Sequence, residues 1–287
     1  MDRHQVLQRI HAEIDHLPTL PTVLPRVLKL VEDPDSSAQE IVEAITPDLA
    51  LTARILKAAN SAYYGIPSSI SNLERAVPLL GLGMVKSLAL AMGVIECLPQ
   101  KIGGKEFAAK DLWVHSLAVA TAVDEMGHLL DVKTGYLFTM GLLHDVGQII
   151  LAQFFREEFF QALELCRSRE DFHLHDAERE LLGVDHGEVG AMLLKRWKLP
   201  ASIVKPVAAH HIDGFPKGVD ELDLALLRVG DFVSQQAGLY HGGNPVPYKV
   251  FDHDLEILEM EPKVLDQVRE HLVQSREKIE GFFQAMG

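Results

Sequence analysis

GYLFTMGLLHDVGQIILAQFF, residues 135–155, is the stretch from which the fold is read. It is a long run of buried type and reads as helix, in a chain where no useful length alternates polar and apolar residues with period two. Inside its apolar part, from Leu137 to Leu151, His144 and Asp145 stand side by side. Each would be costly to bury unless it finds a partner. A metal ion is one such partner; for these two residues alone, a buried His–Asp hydrogen bond or a helix cap is the other.

Working outward, further candidates of the same chemistry occur on separate helical segments. Asp111 and His115 are four apart in a helix expected from Asp111 to Met126, so they share a face. His186 lies in a helix expected from Asp176 to Lys198, His210-His211 follows an apolar segment, and Asp231 falls in a helix expected from Leu222 to Gln236. The order His, His-Asp, His, His-His, Asp supplies a mixed nitrogen and oxygen donor set. Without thiolates, such a set suits iron, manganese, nickel, zinc or magnesium rather than a sulfur-rich zinc site. His173-Leu174-His175-Asp176 could hold an ion by spacing, but its charged surroundings read as an exposed turn. Cys97 and Cys166 stand alone and read as reduced packing residues of a cytoplasmic chain.

Short helices punctuated by prolines make up the first part. They are expected at Val23–Glu32, at Ala38–Ile45 capped by Ser36 or Ser37, and after Thr46-Pro47, with Thr46 as N-cap. Ser71 and Glu74 have the spacing of a capping box. Val77–Leu98 is about as long as the ~20 residues a bilayer demands. Lys86, Pro78 and three glycines interrupt it, so it reads as a buried helix pair. Drawn as a helix-turn-helix, Ser71–Leu90 offers only Lys86 as a basic group in its candidate second helix, which argues against DNA. Pro262–Met286 reads as an amphipathic terminal helix. The fold class is all-α.

Among the 287 residues, 41 acidic side chains face 27 basic ones, for a net charge of −14. Nearly all of the imbalance lies after residue 110: residues 1–110 carry 11 basic and 12 acidic groups. An acidic chain is a poor binder of nucleic acid and of anionic membranes. The N-terminus is charged and lacks the apolar core of a signal peptide. The charge shift falls near the Gly- and Lys-containing connector Pro99–Lys110, dividing the chain into 1–105 and 106–287.

The segments Leu17–Pro21, Ile45–Gly65 (with Ala58-Ala59-Asn60-Ser61-Ala62-Tyr63-Tyr64-Gly65) and Ile70–Leu90, followed by Trp113–Ser116, Gly141–Gly147 and Trp197–Pro200, resemble the HDOD family, the HD-related output domain of bacterial signalling proteins. The resemblance covers roughly residues 13–235. It implies an N-terminal helical bundle packed on an HD-type, phosphohydrolase-like bundle, and a role in binding signalling proteins. Many members have lost the metal ligands; here His115, His144, Asp145, His210, His211 and Asp231 match the order of the catalytic HD enzymes. His186 is implied as an additional ligand, and Asp111 takes a place where some relatives offer a carboxylate. One or two divalent ions are implied, iron or manganese by preference. Asp145 would bridge them, with His115, His144 and Asp231 on one and His186, His210 and His211 on the other.

Two departures touch substrate binding. Gln148 stands where the HD-GYP phosphodiesterases place a phosphate-binding lysine, and the His210–Pro216 loop lacks their glutamate and is shorter. The first expectation is therefore a standalone signalling output module with a retained metal site. The alternative is a metal-dependent phosphohydrolase acting on a nucleotide or cyclic dinucleotide, with Asp145 as its central catalytic residue.

Overall fold

The structure is a computed structural model that describes residues 2–33, 35–99, 107–132, 135–239 and 250–286. Among these residues the secondary structure is helical, with no strand. Most of the connector, and with it the boundary expected at residue 105, lies outside the described residues.

The first helices are α1 (Arg3–His16), α2 (Leu24–Glu32), α3 (Ala38–Ile45), α4 (Leu49–Ala59), α5 (Leu73–Leu80) and α6 (Leu82–Glu96). Ser37 caps α3 in a full capping box with Glu40. Two expected caps are displaced. Asp48, not Thr46, caps α4, because the Thr46 hydroxyl closes the preceding helix on the Val42 carbonyl at 2.7 Å. Asn72, not Ser71, caps α5 by accepting from the Arg75 amide, so the expected box does not form.

The apolar stretch expected as a buried pair is one: α5 and α6 meet at 118°. Lys86, the one basic residue of α6, is turned inward. Its ammonium donates to Ser36 Oγ and, at 3.3 Å, to the Asp33 carbonyl at the end of α2. Burial lowers its pKa. The side chain thus ties the α2–α3 corner and presents no charge for DNA.

The remaining helices are α7 (Ala109–Leu129), α8 (Leu137–Leu143), α9 (Val146–Phe154), α10 (Arg156–Ser168), α11 (Leu174–Leu182), α12 (His186–Arg196), α13 (Ala201–Ala209), α14 (Glu221–Gln236), α15 (Asp252–Leu258), α16 (Pro262–Gln274) and α17 (Arg276–Met286). The 21-residue α7 is the axis of this half, packed by α8, α14, α16 and α17. Three runs expected as single helices are broken. The 135–155 run divides at His144-Asp145, the 176–198 run at Gly183-Val184-Asp185, and the terminal run at Ser275.

The first break has a packing cause. A Cβ on Gly141 would lie 2.6 Å from Ala120 Cα of α7, and one on Gly147 would overlap the His186 carbonyl and lie 2.6 Å from the Gly190 amide nitrogen of α12. Two glycines thus let α8 and α9 touch the backbones of two different helices, and the chain turns between them at His144-Asp145.

Both halves share one buried cluster, running from Val6 to Phe282. α1 packs on α9 and α12, where Arg3 pairs with Glu188 at 2.8 Å and Arg9 donates to the Phe154 carbonyl at 2.5 Å. Asn60 bonds both the carbonyl and the amide of Ile70, closing the following loop. Tyr63 and Tyr64 pack edge-on against each other and against Phe282 of α17, as a packed helix end. Among the described residues one stretch, Leu137–Phe154, is long and apolar enough to cross a bilayer, and 89% of it is buried inside the protein. Cys97 and Cys166 are buried and unbridged, with burial pushing their thiols up to about 11 and about 12.

Candidate metal centre

The turn between α8 and α9 delivers His144 and Asp145 to the middle of the second half, 0% and 2% exposed. Four other helices converge on them. α7 brings His115, the start of α12 brings His186, the end of α13 brings His210 and His211, and α14 brings Asp231. The Asp145 carboxylate divides the imidazoles. Its Oδ2 faces His144 Nε2 at 3.4 Å and His115 Nε2 at 3.9 Å, while its Oδ1 faces His186 Nε2 at 3.1 Å and His210 Nε2 at 3.6 Å. Asp231 Oδ1 stands 3.1 Å from His115 Nε2, and His211 Nε2 stands 2.7 Å from His186 Nε2. Two groups of donors spaced to share an ion result, one of His115, His144 and Asp145 and one of Asp145, His186, His210 and His211.

The opposite edges of the rings decide their protonation. His115 Nδ1 lies 2.7 Å from the Leu239 carbonyl, His144 Nδ1 2.7 Å from that of Gly141, and His210 Nδ1 2.7 Å from that of Val207. A carbonyl only accepts, so each Nδ1 carries the proton and each Nε2 of a neutral ring presents a lone pair. His186 Nδ1 lies 2.6 Å from Glu178 Oε2, which also accepts from the His186 amide at 2.8 Å. Backbone and carboxylate acceptors behind histidines are the usual device for aiming ligands at a metal.

Inside the cluster, acceptors therefore confront acceptors. Nε2 of His144 and of His210 are buried without a hydrogen-bond partner while facing the Asp145 carboxylate. Such an arrangement needs positive charge, supplied by protons or by a cation. Although burial opposes ionisation, Glu178 and Asp145 raise His186 well above its ordinary value, and Asp145 raises His144. Asp145 is held well below the usual carboxylate range because His144 and His186 outweigh its burial, and His115 does the same for Asp231. His210 and His211 are lowered, first by burial. The donor set fits a divalent ion on chemistry and on geometry: neutral imidazoles with aligned lone pairs, carboxylates and no thiolate.

Asp111 and Gln148 stand apart. Asp111, one turn before His115, is exposed and belongs to neither donor group. Gln148 is buried in the first turn of α9 and offers no charge. His173 and His175, expected in an exposed turn, are half-buried beside His211. Burial, together with His186 and Arg179, pushes His175 down to about 2.

Glu178 and Arg228 lie outside the expected donor set, yet both hold parts of the cluster in place. Glu178 shares the buried face of α11 with Leu174 and Leu182, at four-residue spacing, so a carboxylate on an apolar stripe was its legible signal. Arg228 of α14 donates to the carbonyls of Ala209, His210, Ile212 and Gly214 and pairs with the buried Asp254 at 3.0 Å. It clamps the end of α13 that carries His210 and His211.

The profile of the HDOD domain matches residues 17–212, more than half of the chain. An uncharacterized protein of Treponema pallidum (strain Nichols) is 27% identical over 205 residues, 69% of this chain; the chain spans only 38% of that relative's length. Among solved structures, an HDOD domain protein of unknown function from Geobacter sulfurreducens matches with a TM-score of 0.77 and 26% identity, covering 99% of this chain and 98% of the other. A chain from Shewanella amazonensis SB2B, provisionally named a phosphohydrolase, matches with a TM-score of 0.74 and 22% identity, covering 97% and 98%, and shares the fold. The chain belongs to the HDOD domain family.

Proposed function

We propose that this protein is a signalling output module whose second half holds one or two divalent ions, iron or manganese by preference, as a buried structural or sensory centre. The observation that carries this reading is the burial of the donors together with their aim. His115, His144, Asp145, His186, His210 and Asp231 are all at most 5% exposed, and the imidazole lone pairs point inward. An ion held there would cross-link four helices and the α8–α9 turn, adding its binding energy to folding.

The surroundings favour a centre over a working active site. A substrate phosphate needs ligand positions open to solvent and a cation to receive it. Here the only ligand that is not fully buried is His211, and the position suited to a phosphate-binding cation is the uncharged, buried Gln148. Protein partners fit the first half, whose charge is nearly balanced and which exposes Leu49 and Leu79, at 80% and 50%.

One observation favours the alternative. Each oxygen of Asp145 faces its own set of imidazoles, an arrangement suited to two ions, and a two-ion site can polarise a phosphodiester and activate water. In that reading Asp145 and the imidazoles on either side of it would hold the ions, and a nucleotide or cyclic dinucleotide would be the substrate. The test is hydrolysis of a generic phosphodiester, of nucleotides and of cyclic dinucleotides by chain loaded with Mn²⁺ or Fe²⁺, beside His144→Ala/Asp145→Ala. Bound metal without turnover is the expected result. Turnover that disappears in the variant would replace the module reading with the enzyme.

A further inference from the structure

A centre with buried ligands raises the question of how an ion reaches it. One line of imidazoles connects the donors to solvent. His173, the partly exposed N-cap residue of α11, stacks on His175 with ring centroids 5.6 Å apart and planes 8° from parallel. His175, its side chain 12% exposed, stacks on His211 at 4.2 Å and 13°. His211 in turn lies 4.6 Å from the His186 ring, where the two Nε2 atoms are 2.7 Å apart.

We propose that His173, His175 and His211 form a loading path that hands a divalent transition-metal ion from solvent to the buried centre. This rests on the metal reading above but adds His173 and His175, which lie outside the centre, with His211 as the donor where the path joins it. A hydrated ion loses water in steps, and each imidazole nitrogen replaces one lost ligand. Centroid spacings of 4–6 Å mean that each transfer needs a ring rotation rather than a backbone shift. The outer end also attracts cations. Asp176 Oδ1 lies 3.4 Å from His175 Nε2 with its side chain 38% exposed, and the nearby Arg179 is neutralised by Asp185 at 2.5 Å. Packing alone does not call for imidazole: a phenyl ring stacks as well and carries no ligand atom.

The experiment follows the visible absorption of Co²⁺ as it is taken up by metal-free full-length chain, in wild type, in His173→Phe/His175→Phe and in the exposed control His128→Ala. The phenyl variant keeps the stacked rings and removes only the nitrogens, and its thermal unfolding is recorded alongside. The path predicts uptake at least tenfold slower in the phenyl variant, release to a chelator slowed by the same factor, and unchanged final stoichiometry. Equal rates in all three proteins would overturn the path and leave the centre standing. A lower final stoichiometry would also overturn it, by making the two histidines equilibrium ligands. Failure of the wild type to bind Co²⁺ is the distinct result that removes the metal reading itself. The single variant His175→Phe, read by the same two rates, stands in should the double variant not fold.

Discussion

Glu178 is the residue whose role is most open to a direct check. With no exposed surface, it accepts from both the amide and Nδ1 of His186, so it sets that ring's orientation and basicity. Loss of such a supporting acceptor typically weakens metal affinity 10- to 100-fold. Glu178→Gln should therefore lower Co²⁺ affinity by about that factor in an equilibrium titration while keeping the helical circular dichroism of the wild type. A second residue tests burial away from the centre. Burial raises Asp223 to about 6 against the pull of the Tyr136 hydroxyl, which donates to it at 3.0 Å. A carboxyl with a raised folded pKa stays protonated longer in the folded chain. Its contribution is therefore fully present below the unfolded value and is lost as pH rises from about 4 to about 6. Asp223→Asn should be neutral at pH 4 and stabilising by about 1–2 kcal/mol at pH 8, read from denaturant unfolding at the two pH values.

Between helices, the decisive contacts are close approaches and one clamp. Gly147→Ala sets a methyl against the His186 backbone and should cost about 3 kcal/mol, measured by chemical unfolding, because that approach holds Asp145 and His186 together. Arg228→Met leaves the buried Asp254 with only His253, at 3.6 Å, beside it and should cost about 3 kcal/mol, with much of the loss recovered in Arg228→Met/Asp254→Leu. Much at this scale was legible in the sequence, and the failures have causes. The converging residues could be read because histidines and carboxylates are rare in apolar helical runs and these fell on five separate segments. The break inside 135–155 could not, because it follows from two glycines meeting the backbones of α7 and α12, a tertiary fact. Thr46 and Asp48 are both good caps two residues apart; the choice turns on whether Thr46 ends one helix or begins the next. Glu178 was visible in principle, at core spacing between Leu174 and Leu182.

Over the whole molecule, nearly all of the −14 charge lies after residue 110, and Asp145, Glu178 and Asp231 bring part of it among the converging imidazoles. An ion that binds only the folded chain should raise stability by about 2.7 kcal/mol at a hundred times its Kd. Glu178 and Asp145 raise His186 well above the ordinary imidazole value and Asp145 raises His144, while an ion takes only an unprotonated Nε2. Binding then releases protons, so affinity tightens as pH rises and loosens as it falls. The central claim is that the converging donors hold a metal. Its most direct test is elemental analysis of chain purified without chelator, beside His144→Ala/Asp145→Ala. The account predicts at least one transition-metal ion per wild-type chain and a large loss in the variant; less than one ion per wild-type chain would contradict it.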